Sequence, residues 1–84
     1  MKTLKIVTQE GCTQCDMTKT LLKNKDVEYE IVDVDSNEGQ DYVTVFNIEK
    51  LPCIIEETID TYGDTMIIKV CEGYEGALKV YGNI

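Results

Sequence analysis

The 84-residue chain has no arginine, no histidine and no tryptophan, and only one proline and one phenylalanine. Without histidine, a structural zinc site would have to take its four ligands from cysteine thiolates. Lysine supplies all eight cationic side chains against 16 acidic ones, giving a net charge of −8 and a pI near 4.3. So acidic a surface repels phosphate backbones and argues against nucleic acid as a partner. No apolar run is long enough for a membrane span, and the opening MKTLKIVTQEG lacks the apolar stretch of a signal peptide. The expectation is a cytoplasmic monomer with no membrane contact, in a compartment where disulfides are transient or catalytic.

What is present fits a folded soluble chain. Hydrophobic residues make up 43% and charged residues 29%, which excludes a disordered composition. The length suffices for one core and not for two, so residues 1–84 are expected to form a single domain.

Leu4 to Thr8, LKIVT, is rich in β-branched residues and reads as a strand. From Thr13 to Lys25 the apolar positions Met17, Leu21 and Leu22 share one helical stripe, and Lys23 and Lys25 complement the negative end of the helix dipole. VEYEIVDVD, from Val27, alternates Val27, Tyr29 and Ile31 against acidic residues and reads as a second strand. Ser36 or Asn37 can cap a second helix whose inner face would carry Tyr42, Val45 and Phe46, with Asn47 as a left-handed stop. Gly39 is expected to weaken that helix by up to about 1 kcal/mol. CIIEETI and TMIIKVC, separated by DTYGD, read as an antiparallel hairpin. YEGALKVYGN then offers a short helix with Ala77, Leu78 and Tyr81 inward and Gly82 as its stop. The order β-α-β-α-β-β-α predicts an α/β fold. Its first strands run parallel through a right-handed crossover, and a closing hairpin completes a central four-stranded mixed sheet with helices on both faces.

The sequence carries four cysteines: Cys12, Cys15, Cys53 and Cys71. In CTQC, Cys12 falls at the start of the first helix and Cys15 one turn in, so both sulfurs lie on one side and within bonding reach. Unpaired N–H groups at the helix start and the dipole favour a thiolate on Cys12, the form that attacks a disulfide. Cys15 would then attack the mixed disulfide. The dipole is worth about 0.3–1 kcal/mol, or at most roughly one pKa unit. Glu10 and Asp16 oppose it, so the expected pKa is modestly lowered and the couple reducing rather than strongly oxidising. A zinc or iron–sulfur site built on the cysteines is the rival reading. It would need Cys53 and Cys71 as well, and both sit in apolar runs that read as core.

A strand followed by CTQC, a helix and, further on, FNIEKLPCIIE resembles the thioredoxin–glutaredoxin superfamily over nearly the whole chain. The length and the Thr-Gln between the cysteines are most similar to small glutaredoxin-like (NrdH-type) redoxins. The resemblance implies a thioredoxin-like fold and a dithiol–disulfide oxidoreductase that reduces protein disulfides. In it Cys12 and Cys15 are the catalytic, redox-active disulfide pair, with no bound cofactor or metal. It also implies a cis Leu51–Pro52 bond packed against the cysteine loop, and a Leu51 backbone offering strand-like hydrogen bonds. Thr13, Gln14, Leu51, Pro52 and Tyr74 form the expected substrate-binding set, and Gly73 and Gly76 match a glycine turn bordering the site. Ribonucleotide reductase is a candidate partner on the same ground.

The departures bear on the reductant. Gln9 and Glu10 stand where glutaredoxins usually carry a lysine, and CEGYEG only partly matches the motif that grips glutathione's amino end. With no arginine, Lys50 is the one cation well placed for a glutathione carboxylate. A thioredoxin-reductase-type flavoenzyme is therefore the expected electron donor, with glutathione the alternative.

Overall fold

Alternation along LKIVT puts Leu4 and Ile6 on one side of a strand and Val7 with the next element on the other. In the computed structural model, which describes residues 2–83, both sides are covered, and the order is β1 (Lys2–Thr8), α1 (Thr13–Asn24), β2 (Glu30–Asp33), α2 (Asn37–Phe46), β3 (Cys53–Ile59), β4 (Thr65–Glu72) and α3 (Gly73–Tyr81). The sheet runs β2-β1-β3-β4, with β1 and β2 parallel and the other two pairs antiparallel. Leu4, Ile6 and Ile54 pack with Leu22 of α1 and Ala77 of α3 on one face. Val7, Val32, Cys53 and Ile55 pack with Tyr42 of α2 on the other. The expected mixed sheet with helices on both faces is the one observed.

Local chemistry explains where elements begin and end. The Ser36 hydroxyl accepts the Gly39 N–H at 3.0 Å, and Asn47 at φ 50° closes α2 with its N–H on the Val43 carbonyl. Gly39 reverses its expected role. It is buried against the chain entering α2, where a Cβ would strike the Asp33 carbonyl oxygen and lie 2.8 Å from the Val34 Cα. Glycine is here the residue that lets α2 approach β2, a packing gain that outweighs its lower helix propensity.

Several expected core positions are exposed. Val45 is 68% exposed, and Leu78 and Met17 are also partly exposed, because each helix buries a narrower stripe than the full apolar pattern. The second strand is only Glu30–Asp33, and Ile31 lies open on this edge strand, while Val27 and Tyr29 pack against the core from the preceding loop. Gly82 ends α3 in right-handed geometry at φ −67° and not as a left-handed stop. The outer half of the β3–β4 hairpin is covered by no helix, so Ile59, Met66, Ile67 and Ile68 are all exposed.

Candidate active site

Between β1 and α1 the chain turns through Gly11 at φ 79°, a conformation that L side chains seldom adopt, and the Cys12 N–H bonds back to the Gln9 carbonyl at 3.2 Å. Cys12 is the N-cap residue of α1. Its sulfur, in place of the usual oxygen, accepts the Cys15 N–H at 3.1 Å. Cys12 and Cys15 are joined by a disulfide across a Cα separation of 5.2 Å. The two sulfurs differ in access: Cys15 is 1% exposed in the core, whereas Cys12 is half-buried.

The inter-cysteine residue Gln14 fastens this loop to the far end of the chain. Its Oε1 accepts the Tyr74 N–H at 3.1 Å and lies over Gly73. The Leu51–Pro52 bond is cis. Pro52 is buried and its carbonyl accepts the Gly73 N–H at 2.7 Å, which ties the proline edge to the start of α3. Among the described residues, neither the N–H nor the carbonyl of Leu51 has a hydrogen-bond partner.

These elements enclose a groove of about 840 Å³ whose walls include Gln14, Lys50, Leu51, Glu72, Gly73 and Tyr74. Of the expected substrate-binding set, Gln14, Leu51 and Tyr74 line this one groove. Thr13 opens instead onto a separate shallow depression, which it shares with Tyr74 but not with Gln14 or Leu51. Pro52 is buried and does not line the groove, and neither cysteine of the pair lines it.

Sequence reasoning did not single out Glu72. One of its carboxylate oxygens accepts the N–H groups of both Glu49 and Lys50, at 2.8 and 2.9 Å, and the other pairs with Lys69. The Lys69 ammonium, then the two backbone donors, hold the Glu72 carboxyl below the ordinary glutamate value. The only local signal was an acid directly before a helix. Glu72 makes no cap bond to α3, reaching across to the 49–50 loop instead, so the signal would have led to the wrong partner.

Cys53 and Cys71 face opposite sides of the sheet, Cys53 within the α2-side core and Cys71 against the α1–α3 side. Burial pushes the Cys53 thiol up to about 12 and the Cys71 thiol up to about 11. Among the described residues no cluster of three or more cysteine, aspartate or glutamate side chains comes together as a metal site. No helix there is long and apolar enough to cross a membrane.

A sequence model of the family described as Glutaredoxin matches residues 4–59, three strands and two helices with the cysteine pair and the cis proline among them. Among solved structures, the solution structure of a thioredoxin from Thermus thermophilus superposes with a TM-score of 0.61. That match is 16% identical and covers 98% of this chain and 72% of the other, a likeness of fold. No curated protein sequence matches the chain.

Proposed function

The chain belongs to the glutaredoxin family and is a thiol–disulfide redox protein of thioredoxin-like fold; on that premise we propose that it is an electron carrier that reduces protein disulfides. The observation that carries the reading is the unequal pair: a half-buried Cys12 sulfur at a helix start, bonded to a buried Cys15 and within reach of its N–H.

In the reduced protein, the helix-start N–H groups and the Cys15 N–H favour a thiolate on Cys12. That thiolate attacks one sulfur of a substrate disulfide, forming a mixed disulfide and releasing the first substrate sulfur as a thiolate that takes a proton from water. Cys15, deprotonated as it closes, attacks the Cys12 sulfur, breaks the mixed bond and releases the second substrate thiolate. Two electrons have moved from the cysteine pair to the substrate, leaving Cys12–Cys15 oxidised. The Leu51 N–H and carbonyl, unpartnered among the described residues, suit the backbone of an extended polypeptide, which supports a protein disulfide as substrate. Ribonucleotide reductase is a candidate within that class through the family resemblance.

A NADPH-dependent flavoenzyme of the thioredoxin-reductase type is the proposed source of new electrons. Glutathione is the second reading, favoured by the groove of about 840 Å³ beside Gln14 and Leu51. Insulin reduction driven by NADPH and thioredoxin reductase, set against glutathione with its own reductase, separates the two. Cys12→Ser should abolish turnover in either system, and Cys15→Ser should accumulate mixed disulfides visible by mass spectrometry. Turnover retained in the Cys12→Ser protein would overturn the assignment.

A further inference from the structure

The loop before Pro52 exposes a pair of adjacent backbone donors, the N–H groups of Glu49 and Lys50. Two convergent N–H groups are a natural seat for a carboxylate. Here that seat is filled from within the chain, because one Glu72 oxygen accepts both hydrogens, at 2.8 and 2.9 Å. The second oxygen pairs with the Lys69 ammonium, so that cation is neutralised as well. Glu72 and Lys50 both line the groove beside the cysteine pair, and its remaining charges, Glu75 and Lys79, offset one another. One residue further on, the Leu51 N–H and carbonyl remain without partners among the described residues. The groove has therefore lost this pair of backbone anion donors and kept the Lys50 ammonium and the neutral, strand-like Leu51 edge.

We propose that Glu72 is a positioning residue that sets substrate class: its carboxylate braces the Glu49–Lys50 backbone and denies that seat to small thiols docking through a carboxylate, leaving the Leu51 edge to extended polypeptides. Two further contacts make the brace a unit. The Gly73 N–H, next along the chain, holds the Pro52 carbonyl at 2.7 Å, so consecutive residues of one segment grip both ends of the Glu49–Pro52 loop. The Glu72 carboxylate also adds negative charge to the wall that an anionic substrate would approach.

The inference rests on the oxidoreductase reading and deepens it. Its test is a single-turnover measurement with the pre-reduced full chain and three disulfides: glutathione disulfide, which is anionic; bis(2-hydroxyethyl) disulfide, which is small and neutral; and insulin. For Glu72→Ala the second-order rate constant with glutathione disulfide should rise roughly threefold to tenfold, with the gain shrinking at high salt. The neutral disulfide should change less than about twofold, and insulin should slow, because the edge it docks on has lost its brace. Glu72→Gln keeps an oxygen for both N–H groups and removes only the charge. It should hold the insulin rate within about twofold of wild type while still raising the ratio of glutathione disulfide to neutral disulfide.

If Glu72→Ala slows all three disulfides alike, or leaves the anionic-to-neutral ratio unchanged, the inference is wrong while the oxidoreductase reading stands. Should the alanine variant not fold, an unchanged ratio in Glu72→Gln decides against it. A wild-type chain that reduces none of the three disulfides would end the oxidoreductase reading, and this inference with it.

Discussion

Gln14, between the two cysteines, accepts the backbone N–H of Tyr74 at 3.1 Å. This bond joins the first turn of α1 to the first turn of α3, and it is the one side-chain bond between the cysteine loop and the wall of the groove among the described residues. Its position, more than its strength, is what matters, since it sets the distance between half-buried Cys12 and the surface on which a substrate lies.

Gln14→Ala should therefore cost little stability and a larger share of activity. A single neutral hydrogen bond is worth about 0.5–1.5 kcal/mol net. The urea midpoint should fall accordingly, and insulin reduction should drop several-fold. Gln14→Glu keeps an acceptor oxygen and should recover most of the loss. Full activity in the alanine variant would show that the α1–α3 tie does not position the site.

Gly39→Ala should destabilise, against the expectation from helix propensity. Alanine offers up to about 1 kcal/mol in a helix interior. The added methyl meets the Asp33 carbonyl and the Val34 backbone, neither of which can swing away. Overpacking of this kind costs about 1–3 kcal/mol. Chemical denaturation of the two proteins gives the sign directly.

Alkylation should sort the four cysteines. With the Cys71 thiol near 11 and Cys53 near 12, both through burial, the thiolate fraction at pH 8 is about one part in a thousand or less. In the reduced protein iodoacetamide should label Cys12 first and leave Cys53 and Cys71 unmodified until urea is added. Peptide mapping would reveal the order. Early labelling of Cys53 would contradict its place in the core.

Acid should weaken the fold in part through two carboxylates. Glu38 is held below its ordinary value chiefly by the Lys5 ammonium, and Glu72 chiefly by Lys69. A depressed folded value means that the unfolded chain binds protons more readily. The stabilisation is thus complete above the ordinary glutamate range and disappears as pH falls through the folded values. The Glu72 side chain is 17% exposed and that of Glu38 49%, so solvent screens the second pair more. Glu72→Gln should flatten the acid limb of a stability–pH curve more than Glu38→Gln does.

Most of the architecture was legible in the order of residues because it depends on local periodicity. The hairpin strand Cys53–Ile59 coincides with its expected bounds, and the ends of α2 follow from Ser36 and Asn47, whose side chains and backbone act on their immediate neighbours. The cysteine pair was legible for the same reason, since one helical turn brings the two sulfurs into reach whatever surrounds them.

What the tertiary structure decided are the relations between distant segments. Helical spacing marks Val45 and Leu78 as apolar, but only the shape of the opposing sheet determines that the core stops short of them. Propensity marks Gly39 as a weak point, yet the closeness of β2 makes it a requirement. Glu72 looks like an acid at a helix start, and folding carries it to backbone donors of residues 49 and 50. By itself, then, the sequence determined the elements, their order and the reactive pair, through forces acting within a few residues. Which side chains wall the groove and which donors remain free were set by packing and hydrogen bonds between segments far apart in the chain, and these exist only once the sheet has assembled.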